Sequence, residues 1–282
     1  MTRRSVLQEI HCEGVALHAG CRVHARLLPA HSGQGVVFRR DDLGKEILAR
    51  YDRVSETRLG TMIAERGASV AVIEHLMAAI SGAGLDDVTI ALDGPEPPIL
   101  DGDALSWLVE LDAAGIREQP GARNGIRILR RVDVSRGDAS ASLMPSDSLE
   151  FDLAIAFDTP AVGSQHLAWH FAPDAFRREI APARTFGFMH ELDSLHAAGL
   201  ARGASRNNTL AIEGGRLLNP ELLRFADEFV RHKILDAVGD LALAGAPIMG
   251  RFEGRKSGHT LNNALLRAVF ADPENYEMVS AH

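Results

Sequence analysis

Arg-Glu-Gln-Pro-Gly-Ala-Arg-Asn-Gly, residues 117–125, interrupts every periodic pattern in the chain. Charged and polar, with one proline and two glycines, it has the composition of an exposed connection between domains. On its N-terminal side, short alternating segments at 3–10, 21–28 and 35–39 predict strands, the first two separated by a glycine-bracketed turn at 13–20. A short helix over 71–81, which Gly82 and Gly84 stop, precedes a strand over 87–93 and a helix over 103–114. On the C-terminal side the same order returns. Strands over 126–134, 139–144 and 149–157 lead to helical segments near 174–180 and 189–198. A strand-like insertion over 201–218 follows, then the longest helix over 226–244, a strand over 248–253 and a last helix over 257–271. Strands first and helices after, in both halves, predict an α+β fold rather than alternating βαβ units. The expected organisation is two similar domains, 1–118 and 126–282, joined by a linker at 119–125.

Composition narrows the function. The 282 residues are 46% hydrophobic and 24% charged, the proportions of a soluble globular protein. Thirty basic against 38 acidic residues leave a net charge of −8, so no nucleic-acid partner is expected. No apolar run approaches the roughly 18 residues of a membrane span, and no secretory leader is evident, so a cytoplasmic protein is expected. Cys12 and Cys21 are the two cysteines, too few for a disulfide framework or a four-thiolate zinc site. Any metal must use other ligands, and the chain has twelve histidines.

The long helix carries His232, Asp236 and Asp240 at i, i+4 and i+8, hence on one stripe. Such a stripe is often the solvated face of an amphipathic helix. Here Val230, Ile234, Leu235, Val238 and Leu241 make the helix apolar almost all round, which predicts burial. Buried ionisable groups cost several kcal/mol unless paired or bound to metal, so the stripe reads as a site. Glu74-His75 on the first helix adds a second pair, of which one member could bind a metal while the other faces the open coordination position. His259 begins the final helix, where the macrodipole disfavours imidazolium and a carboxylate partner could restore it. Two histidines and an aspartate with a fourth position open is the pattern of catalytic zinc, with a nearby carboxylate as base. There is no HExxH pair, so a zincin protease is not expected.

The segments GVALHAG (14–20), IEHLMAA (73–79), PEPPILDG (95–102), ARTFGFM (183–189), RFADEFVRHKILDAVGDL (224–241) and KSGHTLNN (256–263) resemble the UDP-3-O-acyl-N-acetylglucosamine deacetylases. These are zinc amidohydrolases of lipid A biosynthesis in Gram-negative bacteria. The resemblance implies two sheet-and-helix domains with the active site at their junction. It implies His75, His232 and Asp236 as ligands of Zn²⁺, a set that would also accept Fe²⁺ or Co²⁺. Glu74 falls at the general-base position, His259 at that of the cationic acid or oxyanion partner, Asp240 where it would orient His259, and Thr185 where the oxyanion is hydrogen-bonded. Lys233 and Lys256 match lysines near the sugar and diphosphate, Phe157 and Phe186 match aromatics flanking the nucleotide sugar, and His18 lies in the loop at the site's edge. The insertion at 201–218 would form the passage for the 3-O-acyl chain, although Arg202, Arg206, Asn207 and Asn208 make it less apolar than expected. The implied partner is a small nucleotide-sugar lipid, acted on by a monomer. Two other readings compete: a different metallohydrolase on this scaffold, or a nucleotide-sugar-binding protein without catalysis, against which the full set of ligands and base argues.

Overall fold

The computed structural model describes residues 1–280 and is a mixed α+β protein. Its α-helices are α1 (Glu74–Gly82), α2 (Leu105–Ala114), the single turn α3 (Pro173–Ala175), α4 (Met189–Ala197), α5 (Glu228–Ala242) and α6 (His259–Ala271). A five-stranded sheet is built wholly from the first half, in the order Ile10–Val15, Arg22–Pro29, Val88–Leu92, Val36–Arg40, Lys45–Leu48. Its one parallel pair joins Val36–Arg40 to Val88–Leu92.

A seven-stranded sheet is built from the second half. Two local hairpins, Val132–Arg136 with Ala139–Met144 and Leu149–Ala156 with Ser164–His170, supply four of its strands. The strand Ile248–Arg255 joins them, antiparallel to Ala139–Met144 and parallel to Leu149–Ala156. Its first two residues also pair in parallel with Asn124–Ile128, which holds Tyr276–Ser280 antiparallel.

Regular structure, for which the sequence gives no periodic signal, reaches into the stretch at 117–125. Ile116–Ala122 is a strand, antiparallel to Thr2–Val6, and Asn124–Ile128 begins two residues later. Of Ile116–Ala122 only Gln119 is buried, so pairing with the chain's first strand, rather than an apolar face, holds it extended. The expected strand at 3–10 is likewise broken, into Thr2–Val6 and Ile10–Val15, and 126–134 into Asn124–Ile128 and Val132–Arg136. Further strands not foreseen are Lys45–Leu48, Ser164–His170, Phe186–Phe188, Tyr276–Ser280 and the small sheet of Val54–Glu56, Met62–Glu65 and Ala68–Val70. The insertion runs as turns to residue 209, then as strands Leu210–Glu213 and Arg216–Leu217 beside Phe186–Phe188.

Helices α1 and α5 pack on each other in the interior, and nearly every residue of α1 is buried. Gly239 of α5 lies so near α1 that a Cβ there would stand 2.0 Å from the Glu74 carbonyl oxygen. Glycine is therefore what lets the two backbones approach this closely. Among the described residues no helix is long and apolar enough to cross a membrane.

Candidate metal centre and catalytic site

The α1–α5 contact places the first turn of α1 against the stripe on α5. His75, His232 and Asp236 are buried, and one potential ligand atom from each lies within 4.8 Å of the others. The His75 and His232 rings meet edge to face with centroids 5.0 Å apart. His232 Nδ1 donates to the Ala183 carbonyl (3.1 Å), which leaves Nε2 as the ring's lone-pair nitrogen, 3.3 Å from Asp236 Oδ1. His75 Nε2 is 3.7 Å from the same oxygen.

Asp236 divides its two oxygens. Oδ2 accepts from Lys233 Nζ at 2.6 Å, one turn back on the helix. Oδ1 is buried and has no hydrogen-bond partner among the described residues, and neither has His75 Nδ1. An orphaned carboxylate oxygen between two imidazoles costs about 1–3 kcal/mol or more unless something fills the gap. The donor set fits a divalent cation of the zinc type. Burial pushes His75 down to about 3. Burial also holds His232 below the usual histidine range. Both rings are therefore neutral at neutral pH, as ligands must be. Burial works against Asp236, but the Lys233 ammonium, with the charged His259 imidazole, outweighs it and keeps the group ionised. Asp236 in turn outweighs the burial of Lys233 and holds that ammonium charged.

Across the cluster, Glu74 and His259 face each other with Oε1 and Nε2 3.8 Å apart. Burial pushes Glu74 up to about 7, while the nearby His259 pulls it down. His259 opens α6 after Gly258, and its Nδ1 donates to Asp240 Oδ2 at 2.8 Å. Burial disfavours the imidazolium, yet Asp240 and Glu74 together raise His259 to about 9. The helix N-terminus alone would lower it; the carboxylates decide the sign.

The other sequence-derived candidates are distributed around this core. Thr185 is half-buried two residues beyond Ala183, its backbone N–H on Gly102 O (2.8 Å) and its carbonyl accepting from Leu210 N–H (2.9 Å). Phe186 follows, with its ring centroid 6.2 Å from that of His232, 5.0 Å from Phe229 and 5.6 Å from Phe157. Lys256 instead pairs with Asp138 at 2.5 Å. His18 spans two loops: Nε2 donates to Leu59 O (3.0 Å) and Nδ1 accepts from Ala201 N–H (3.3 Å), while Glu96 takes the backbone amides of His18 and Ala19. These contacts tie the insertion to the loop before Thr61 rather than to the histidine cluster.

Sequence reasoning missed Thr61 and Asn262. Thr61 Oγ1 donates to Asp240 Oδ1 (2.5 Å), its N–H donates to Glu74 Oε2 (2.9 Å), and Asn262 Nδ2 donates to Asp240 Oδ2 (2.8 Å). Asn262 lies one turn from His259 on the same helix face, a spacing that could have suggested it. Thr61 offered no such signal.

Residues 3–271 match the family described as UDP-3-O-acyl N-acetylglycosamine deacetylase. The chain is 42% identical to the UDP-3-O-acyl-N-acetylglucosamine deacetylase of a Nitratiruptor species, covering 100% of this chain and 94% of that one. It is 46% identical to the protein of that name from Phenylobacterium zucineum, over 94% and 92% of the two chains. With that from Xylella fastidiosa, identity is 43% over 99% and 93%.

Proposed function

Because the chain belongs to the UDP-3-O-acyl-N-acetylglucosamine deacetylase family, we propose that His75, His232 and Asp236 hold a zinc ion and that the surrounding residues hydrolyse the substrate's 2-acetamido group. The reaction converts a UDP-3-O-[(3R)-3-hydroxyacyl]-N-acetylglucosamine to its free 2-amine and acetate, a step of lipid A biosynthesis. The observation that carries the site assignment is Asp236 Oδ1, buried, unpartnered among the described residues and between two neutral imidazoles.

Zinc bound there would lower the pKa of a water toward about 7 and polarise the amide carbonyl. Glu74 is the base. The Thr61 amide fixes its Oε2, Oε1 is turned toward His259, and a carboxylate pushed up to about 7 suits proton removal near neutrality. His259 carries the opposite charge. With Nδ1 committed to Asp240, only Nε2 can reach a substrate, as a donor to the developing oxyanion or to the leaving amine. One such donor is worth roughly 3–4 kcal/mol in the transition state. Thr185 would be a second. Lys233, Lys256, Phe157, Phe186 and His18 would line the approach of the sugar nucleotide, and residues 201–218 that of the acyl chain. The enzyme would act as a cytoplasmic monomer.

Purified protein loaded with zinc should release acetate and the free amine from the acylated sugar nucleotide, and a chelator should stop it. Glu74→Gln should keep its metal and lose nearly all turnover. A metal-loaded wild type that releases no acetate would overturn the reading.

A further inference from the structure

Thr61 stands where both halves of the proposed acid–base machinery converge, and neither the family name nor the sequence motifs assign it a part. It is 2% exposed and precedes the short strand Met62–Glu65. Its backbone is tied to the start of α1 by two bonds: the carbonyl accepts from Ile73 N–H (3.3 Å), and the N–H donates to Glu74 Oε2 (2.9 Å). Its hydroxyl reaches the other way. Oγ1 lies 2.5 Å from Asp240 Oδ1 and 3.3 Å from His259 Nδ1.

An ionised carboxylate can only accept, so the single hydroxyl proton belongs to Asp240. The oxygen's lone pairs then face His259 Nδ1–H, which lies mainly on Asp240 Oδ2 at 2.8 Å. Asp240 thus receives donors on both oxygens, Thr61 on one and His259 with Asn262 on the other. Without the hydroxyl, Oδ1 loses the only side-chain donor found on it among the described residues, and the carboxylate is free to turn about its Cβ–Cγ bond, carrying the imidazole with it. The close approach that makes this possible is built into the preceding residue. Gly60 has φ +141°, and a Cβ there would stand 2.8 Å from Glu74 Oε1.

We propose that Thr61 is a positioning residue for the deacetylation, its hydroxyl fixing the Asp240–His259 pair and its amide fixing Glu74, so that base and imidazole keep one separation across the substrate. The proposal rests on the deacetylase reading above. Thr61 touches neither substrate nor metal ligand in this account; it acts through the residues it holds.

The test compares Thr61→Val, which keeps the shape and removes the hydroxyl, with Thr61→Ser, which keeps the hydroxyl. Zinc content, thermal melting, kcat and KM for the acylated sugar nucleotide are measured for each. Thr61→Val should be folded and zinc-loaded, with kcat lowered about 10- to 100-fold and KM within about twofold. Thr61→Ser should stay within about threefold of wild type. In an Asp240→Asn background, Thr61→Val should change kcat by less than about twofold, because the route through Asp240 is already gone. Wild-type turnover in Thr61→Val, equal losses in Val and Ser variants, or full additivity with Asp240→Asn would each overturn the proposal. If Thr61→Val does not fold, Thr61→Ala against Thr61→Ser makes the same comparison. Should wild type release no acetate, the deacetylase reading fails, and positioning is read instead from the His259 Nδ1–H proton resonance. That signal should be sharp and far downfield in wild type and Thr61→Ser and exchange-broadened in Thr61→Val; an unchanged signal in Thr61→Val would defeat it.

Discussion

Replacing Gly239 with alanine sets two well-understood effects against each other. Within a helix, alanine is favoured over glycine by about 0.8–1.0 kcal/mol, so propensity alone predicts a stabler protein. The α1–α5 contact predicts the reverse. The added Cβ would lie 2.0 Å from the Glu74 carbonyl oxygen, 2.8 Å from its carbon and 3.0 Å from its Cα, whereas ordinary contact begins at 3.4 Å. All three atoms are backbone, so no side chain can swing aside, and the helices must part by about 1.4 Å at their crossing. Overpacking of this kind costs typically 1–3 kcal/mol, enough to outweigh the gain in propensity. The chemical consequence is larger than the thermal one. His75 is on α1 while His232 and Asp236 are on α5, and ligand distances tolerate only about ±0.2 Å. Gly239→Ala should therefore melt below wild type, retain less than stoichiometric zinc by elemental analysis, and lose at least about 100-fold in kcat. A variant that melts higher, holds one zinc per chain and turns over within twofold of wild type would refute the argument that this contact sets the site.

His75→Ala and His232→Ala should each lose bound metal and activity together, whereas full metal retention in both would remove these residues from the ligand set. The rate should be bell-shaped in pH: Glu74, raised to about 7, must be deprotonated, so activity rises through its pKa. His259, raised to about 9, must be protonated, so activity falls through its own. A bound cation lowers both, placing the limbs at or below those values; His259→Gln should abolish the basic limb, and a retained limb would reject this source. The 3-O-acylated substrate should be strongly preferred to UDP-N-acetylglucosamine, with two methylenes worth roughly tenfold, and equal efficiency on both would dismiss residues 201–218 as an acyl passage.

The stripe on α5 could be read in advance because helical spacing and an apolar surround act within one element, and burial there is a property of the segment itself. Glu74-His75 was legible only beside it. Thr61 was not legible at all: its partners are Glu74, 13 positions on, and Asp240 and His259, 179 and 198 positions away, and a threonine entering a short strand carries no local mark. The same holds for Ile116–Ala122, a polar stretch made a strand by a partner at the chain's beginning. Ser164–His170 escaped for a related reason. Its exposed face carries His166 and His170, and it is held by hairpin pairing with Leu149–Ala156 rather than by a run of apolar residues. Helices with their own periodicity were visible; strands defined by their neighbours were not.

The position of Ile248–Arg255 governs the order in which the molecule can assemble. The two hairpins at 132–144 and 149–170 can each close as soon as they are made, but nothing joins them into one sheet until a strand about 100 residues further on arrives between them. Contacts of such long sequence separation must overcome chain entropy before they stabilise anything, which slows folding. On a ribosome, the five-stranded sheet of the first half has all its strands by residue 92, while the second half waits with exposed edges. His259 comes later still in the chain, so the pocket that Glu74 helps to form stays open on one side until the helix His259–Ala271 has been synthesised, some 185 residues after Glu74.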